Sequence, residues 1–415
     1  MMKRFFLGII VIAIIAIALL WWRENRTYDG PVQTVKANAE QITRGYYLTK
    51  AADCEACHTA AGGAPLAGGV PLDTPFGTLY GTNITPDPDA GIGRWTSDDF
   101  YNALTKGIAP GGRHLYPAMP YTSFKEITRQ DSDDMYAYLM TRTPVNQSPP
   151  ENKLPFPYNQ RMALIGWNLL FLDDQPIKAS SEGNSDLWHR GRYLSNALGH
   201  CGECHTPRGV LGQVESDNPM AGGNLGRFIA PDITPDSLAA RGWTTTTMNQ
   251  FLSTGITDKA TAFSEMHTVI DLSTRFLTKE DALALTTYLM GDKAPEPAKM
   301  TATQGNNNGR LTYLNQCAGC HSLDGEGKPH VAVAMDGNTT LRQPDARNLV
   351  VSILDGLPAQ NFPNNESMQS MPGFSHRLSN KEIADLVNYL RATWGGQPED
   401  ITEKHVEELR QQPDH

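Results

Sequence analysis

All six cysteines of this 415-residue chain fall into three copies of one pentapeptide: Cys54-Glu-Ala-Cys57-His58, Cys201-Gly-Glu-Cys204-His205 and Cys317-Ala-Gly-Cys320-His321. Each copy is C-x-x-C-H, the attachment signature of c-type haem. Two thiols three positions apart reach the two vinyl groups of one porphyrin, and the adjoining His turns its imidazole towards the iron. One such motif alone would also suit half a zinc site or a redox dithiol. Three copies that use every cysteine point to three haem c groups. Cys54, Cys57, Cys201, Cys204, Cys317 and Cys320 are then the thioether positions, and His58, His205 and His321 the iron ligands. A chain that wraps three porphyrins is constrained to short helices and polar loops around three separate pockets.

The length suggests roughly three domains at about 150 residues each, which matches the motif count. A hydrophobic content of 40% and an aromatic content of 8% are those of globular protein. A formal charge of −10 and a pI near 5.6 exclude nucleic acid as a natural partner. Disulfides usually mark an oxidising compartment. Here every thiol is assigned to haem, so their absence does not argue for the cytosol.

At the amino terminus, Lys3 and Arg4 precede 18 apolar residues, Phe5 to Trp22. A helix of that length is about 27 Å long, just enough to cross a bilayer. Trp21 and Trp22 suit the interface, and Arg23-Glu-Asn-Arg26 closes the segment. A cleaved leader should have a shorter core followed closely by small residues. The nearest A-x-A, Ala37-Asn-Ala39, lies too far on. An uncleaved anchor is the favoured expectation, with a removed signal peptide as the alternative. Covalent haem is attached outside the cytoplasmic membrane, which places the haem-bearing part on the periplasmic side of the inner membrane.

Each motif sits in a repeating frame of roughly a hundred residues. Arg44-Gly-Tyr-Tyr-Leu-Thr49, Arg190-Gly-Arg-Tyr-Leu-Ser195 and Gly309-Arg-Leu-Thr-Tyr-Leu314 lead into the three motifs. Each repeat closes with a helix announced by a hydroxyl and a carboxylate three apart: Thr128 and Asp131, Thr278 and Asp281, Ser379 and Glu382. Repeats one and two share Asn83-Ile-Thr-Pro-Asp87 and Asp232-Ile-Thr-Pro-Asp236, an insert the third lacks. The expected divisions are an anchor or signal segment at 1–26, haem domains at 36–142, 183–294 and 303–396, a Pro-rich linker with a short apolar helix at 143–182, and a polar tail at 397–415. Thr143 to Pro157 holds five prolines. Ala163 to Leu172 is apolar but too short to span a membrane, and reads as a packed inter-domain helix.

A haem iron held by one His needs a second axial ligand, and Met there raises the reduction potential. Met119 and Met266 each lie 61 residues beyond their His, and Met371 lies 50 beyond His321, shortened as the missing insert requires. These three are the candidate sixth ligands. Met368 competes with Met371, and His267 with Met266; His267 would make a bis-His centre. His114, His189, His200, His330, His376, His405 and His415 read as surface or hydrogen-bonded residues. Arg94, Trp95 and Trp243 are candidate donors to haem propionates.

The order of C-x-x-C-H, "TNITPDPDAGIGRWT" (Thr82–Thr96), "LYPAMPYTSF" (Leu115–Phe124) and "MPGF" (Met371–Phe374) resembles the three-haem cytochrome c subunit of bacterial membrane-bound dehydrogenases. The resemblance runs from about residue 40 to 396. It implies a mainly α fold, with three tandem class I cytochrome c domains after the N-terminal transmembrane helix. It also implies a separate periplasmic catalytic subunit (quinoprotein, flavoprotein or molybdoprotein) and onward transfer of electrons to ubiquinone or a terminal oxidase. The family's Met ligands fall on Met119, Met266 and Met371. An uncleaved anchor would depart from the family's leader. With both axial positions filled, no iron could bind substrate, so no catalytic residue is expected in this chain. A cytochrome subunit of a terminal oxidase and a peroxidase-like enzyme with one open iron are the alternatives.

Overall fold

The computed structural model describes residues 2–172 and 184–412. The last part of the expected linker, 173–182, and His415 lie outside the described residues. The chain is mainly helical, and its only sheets among the described residues are four two-stranded hairpins. It divides into two compact units, 1–178 with 196–200 and 179–195 with 201–415.

The first unit opens with α1 (Met2–Asn25), whose span Arg4–Asn25 is long and apolar enough to cross a membrane. Its large apolar side chains are exposed along the rod, from Phe5 through Trp22. Next come α2 (Ala39–Ala51), the motif turn α3 (Cys54–His58) and the hairpin β1–β2 (Pro71–Thr74, Gly77–Tyr80). Then follow α4 (Ser97–Lys106), hairpin β3–β4 (Ile108–Ala109, Arg113–His114), α5 (Tyr121–Phe124) and α6 (Arg129–Leu139). The apolar segment of the linker forms α7 (Ala163–Phe171).

The second unit holds two repeats. One has α8 (Asp186–Arg192), α9 (Gly202–His205), β5–β6 (Gly223–Leu225, Phe228–Ala230), α10 (Pro235–Ala240), α11 (Thr245–Thr254), α12 (Glu265–Leu272) and α13 (Lys279–Met290). The other has α14 (Asn307–Gln316), α15 (Ala318–His321), α16 (Arg347–Asp355), β7–β8 (Gln360–Asn361, Ser367–Met368), α17 (Asn380–Leu390) and α18 (Glu403–Gln411). The two are stitched together. Arg227 donates to both carboxylate oxygens of Asp355 at 2.7 and 2.8 Å, and Asn348 exchanges two hydrogen bonds with the Ile229 backbone.

The frame of each repeat is a crossing of its first and last long helices: α2 on α6, α8 on α13, α14 on α17. The crossing needs glycine. A methyl group at Gly45 would sit 1.9 Å from the Asp134 carbonyl oxygen, at Gly191 1.9 Å from that of Ala284, and at Gly309 2.0 Å from that of Asp385. Only a residue without Cβ lets the two backbones approach this closely. The three capping signals are used as the sequence suggests: Thr128, Thr278 and Ser379 accept the N–H of the residue three on. The carboxylates differ. Glu382 closes a reciprocal capping box, whereas Asp131 pairs with Arg44 and Asp281 with Arg190 across the helix crossing.

The tail beyond 396 folds as well. α18 lies against α16 and α17 with Val406 fully buried, and Arg410 donates to the Leu378 carbonyl at 3.0 Å. Ile401, Val406 and Leu409 join the core of the third repeat.

Candidate haem-binding sites

Each C-x-x-C-H segment forms a single helical turn. In all three, the His donates its Nδ1–H to a backbone carbonyl: His58 to Thr82 at 2.5 Å, His205 to Pro231 at 2.7 Å, His321 to Val333 at 3.0 Å. With Nδ1 protonated, the Nε2 lone pair is left free to bind a metal, the arrangement usual for metal-binding imidazoles. Burial lowers the pKa of all three imidazoles, which keeps them neutral. No disulfide joins any of the six cysteines. Burial pushes Cys57 and Cys204 up to about 11, Cys317 to about 12, and Cys54 higher still. A redox dithiol or a zinc site would need easily formed thiolates. Among the described residues no three His, Cys, Asp or Glu side chains converge into a metal-holding group. The residues therefore fit a covalently held haem better than either alternative.

The accepting carbonyls explain a motif whose role was not legible in the sequence. In repeat one, Asn83 Oδ1 accepts from the N–H and the hydroxyl of Thr85, at 2.9 and 2.7 Å. In repeat two, Asp232 Oδ1 accepts from the same two groups of Thr234, at 2.8 and 2.6 Å. The turn so fixed presents the carbonyl of the preceding residue, Thr82 or Pro231, to the imidazole. The shared Ile-Thr-Pro string after Asn83 and Asp232 was the available signal. Repeat three reaches the same end by a tighter route, from Val333 only 12 residues after His321.

The three candidate Met residues are half-buried, and two of them, Met119 and Met371, are pinned through their backbones. Met119 N–H bonds the Tyr116 carbonyl at 3.0 Å, and its own carbonyl accepts from Tyr121 at 2.7 Å. Tyr121 is fully buried, and its hydroxyl donates to Asn168 Oδ1 of α7 at 2.7 Å, with the Trp167 ring edge-on at 6.2 Å. The short apolar helix thus braces the Met119 loop. Met371 exchanges two 2.9 Å backbone hydrogen bonds with Leu357 and packs on the core of the third repeat. Met266, in the first turn of α12, packs against Ala262, Ile270 and Phe362.

The two rivals lie close to the second site. His267 Nε2 is 3.0 Å from the Asn361 carbonyl, and its ring stands edge-on to Phe362. Met368 packs with Met266 in that same small cluster rather than in the third core.

Comparison with known proteins agrees with this geometry. The cytochrome c family model matches residues 42–143 and 307–394. The chain is 34% identical over 402 residues to the gluconate 2-dehydrogenase cytochrome c subunit of Pantoea cypripedii, covering 90% of both chains. It is 35% identical to the cytochrome c subunit of the quinone-linked alcohol dehydrogenase of Gluconobacter oxydans, covering 92% of this chain and 84% of that one. The chain belongs to the family of cytochrome c subunits of bacterial dehydrogenase complexes. A 39% identity to a nicotinate dehydrogenase subunit of Pseudomonas putida covers 89% of this chain but only 32% of that much longer protein.

As a cytochrome c subunit, the chain carries covalent haem and transfers electrons for a dehydrogenase. Its polar surroundings differ from expectation in one place. Arg94 is consumed by structure: its guanidinium bonds the Pro88 carbonyl (3.0 Å), the Gly30 carbonyl (2.9 Å) and Asp89 (3.2 Å). Cations that sequence reasoning missed are the half-buried Arg113 of repeat one and Arg161 of the linker, and the buried Arg241 of repeat two. Burial lowers the pKa of all three, that of Arg241 to about 10. Trp243 is buried with its ring edge-on to Phe251, while Trp95 uses its carbonyl to accept from the Tyr136 hydroxyl at 2.6 Å.

Proposed function

We propose that this subunit carries three haem c groups in three tandem class I cytochrome c domains, each iron held between one His and one Met. The pairs are His58 and Met119, His205 and Met266, His321 and Met371. The observation that carries the reading is the threefold Nδ1–H to carbonyl bond, which leaves each Nε2 available to an iron, with the Met119 and Met371 segments fixed by backbone hydrogen bonds. Bound haem supplies a one-electron couple, and Met ligation sets it at relatively high potential. The protein orients the imidazole, keeps it neutral and excludes water. Filled axial positions leave no place for substrate, so the chain relays electrons and performs no substrate chemistry.

The relay runs from a periplasmic dehydrogenase catalytic subunit, a quinoprotein, flavoprotein or molybdoprotein, to ubiquinone or a terminal oxidase. The apolar rod α1 anchors the chain in the inner membrane, with the haem domains on the periplasmic side. The names of the relatives support a catalytic partner of this kind.

Purification from native membranes tests the proposal. The subunit should arrive with a large catalytic chain, and its intact mass should include three haems. A mass increase matching two would sink the three-site claim. Met119→Ala, Met266→Ala and Met371→Ala should each remove roughly a third of the weak long-wavelength absorption of Met–iron(III) bonds. If Met266→Ala leaves that absorption unchanged, the second site is not Met-ligated.

A further inference from the structure

The last turn of α1 is part of the first repeat. Glu24 is only 1% exposed although it directly follows the apolar span. Its carboxylate accepts from the His114 backbone N–H at 2.8 Å, from His114 Nδ1 at 2.8 Å and from Arg23 at 2.8 Å. Around it, Arg113 and Arg161 are half-buried cations that repel each other and are both attracted by Glu24. Arg161 donates to the His114 carbonyl at 2.9 Å, and its guanidinium lies 4.5 Å from the Tyr116 ring centroid. From there the chain is fixed: the Tyr116 carbonyl accepts the Met119 N–H, and the Leu115 N–H bonds the Gly107 carbonyl at 2.7 Å. The stretch after α1 is tied down too. Arg26 donates to the Gly111 carbonyl at 3.2 Å, Arg94 to that of Gly30, and the Gln33 N–H to that of Gly93 at 2.8 Å.

Removing this segment would leave two half-buried guanidiniums without their counter-charge, and the buried His114 N–H without its acceptor. Uncompensated buried charge is strongly unfavourable. A leader destined for removal would leave the first repeat in that state. We infer that the N-terminal helix is retained in the working subunit and that Glu24 is a positioning residue of the first haem site. It acts through His114 on the loop that carries Met119, and so joins the membrane anchor to the ligand loop. The inference rests on the reading of Met119 as the first repeat's axial ligand.

Two measurements on the full-length subunit in its complex decide it. Intact mass of the membrane-purified chain should retain residues 2–39. A chain that begins beyond Glu24 overturns the inference. Glu24→Gln keeps the shape and an acceptor for His114 but removes the negative charge, and a lost negative charge disfavours an oxidised, more positive iron. In a redox titration one of three waves should therefore move to higher potential while the other two stay. Glu24→Asp, which restores the charge, should bring that wave back towards its parental position. Three unmoved waves in Glu24→Gln would overturn the inference and leave the three-haem function standing. Fewer than three waves in the parent would break the functional reading itself.

Discussion

Repeats one and two share a polar scaffold that repeat three lacks. In the first two, the helix crossing carries an arginine–aspartate pair, Arg44 with Asp131 and Arg190 with Asp281. The His-accepting carbonyl is set there by an Asx turn on Asn83 or Asp232. In the third, the equivalent acid, Glu382, serves its own helix cap, and the carbonyl comes from a short loop. What holds that repeat is a continuous core from Tyr313 through Leu354, Ile383 and Val387 to Trp394 and Val406. Burying aliphatic and aromatic side chains is worth about 1.5–3 kcal/mol each, against about 1 kcal/mol for a typical hydrogen bond. The tail helix α18 adds Val406 and Leu409 to that core.

The comparison can be broken in several ways. The largest effect should come where the repeats agree. Gly309→Val, like Gly45→Val, places atoms within 2.0 Å of a backbone carbonyl oxygen and should cost about 3 kcal/mol or more. Thermal melts and haem retention check this. A well-folded Gly309→Val would mean that the crossing is not a shared requirement. Next is Val406→Asp, which puts a charge into the third core and should cost about 3 kcal/mol by the same measurement. Should it prove neutral, the tail does not complete the third core.

Arg190→Ala should then cost about 1 kcal/mol, because Asp281 is largely buried and loses its bidentate partner. Arg310→Ala, the exposed arginine that follows the crossing glycine of repeat three, should stay within about 0.5 kcal/mol. Equal costs at the two sites would erase the distinction between the two helix crossings.

The last effect is one of slope. Asp53 is buried beside the first motif, and burial, then the neighbouring Glu55, push its carboxyl up to about 8. The unfolded chain releases this proton in the ordinary carboxylate range, while the folded chain keeps it until about pH 8. Between those values the unfolded state binds fewer protons, so stability falls as pH rises and levels off above about 8. Asp53→Asn should remove that fall, read by denaturant unfolding at pH 5 and pH 8. An unchanged slope would show that the carboxyl reaches water.

Much of the site was legible because its chemistry is local. Two thiols and an imidazole must lie on one helical turn to serve one porphyrin, so Cys54 to His58 can be read as a string. The capping residues Thr128, Thr278 and Ser379 are local for the same reason. The Met assignments rest on the equality of two spacings, a consequence of repetition rather than of local chemistry. The carbonyls of Thr82, Pro231 and Val333 were not legible, since any residue has one and only the turn that aims it matters. Arg94 misled because a cation beside a Trp suits a propionate, yet its donors go to nearby carbonyls.

By itself the sequence determined the number of attachment motifs, the apolar rod at the start and the helices that frame each repeat, all properties of residues close in the chain. Tertiary structure alone decided that Glu24 is a buried counter-charge to Arg113 and Arg161, that α7 braces the Met119 loop, and that the tail completes the third core. These join residues tens of positions apart, and their energies depend on burial, which no local pattern of residue types records.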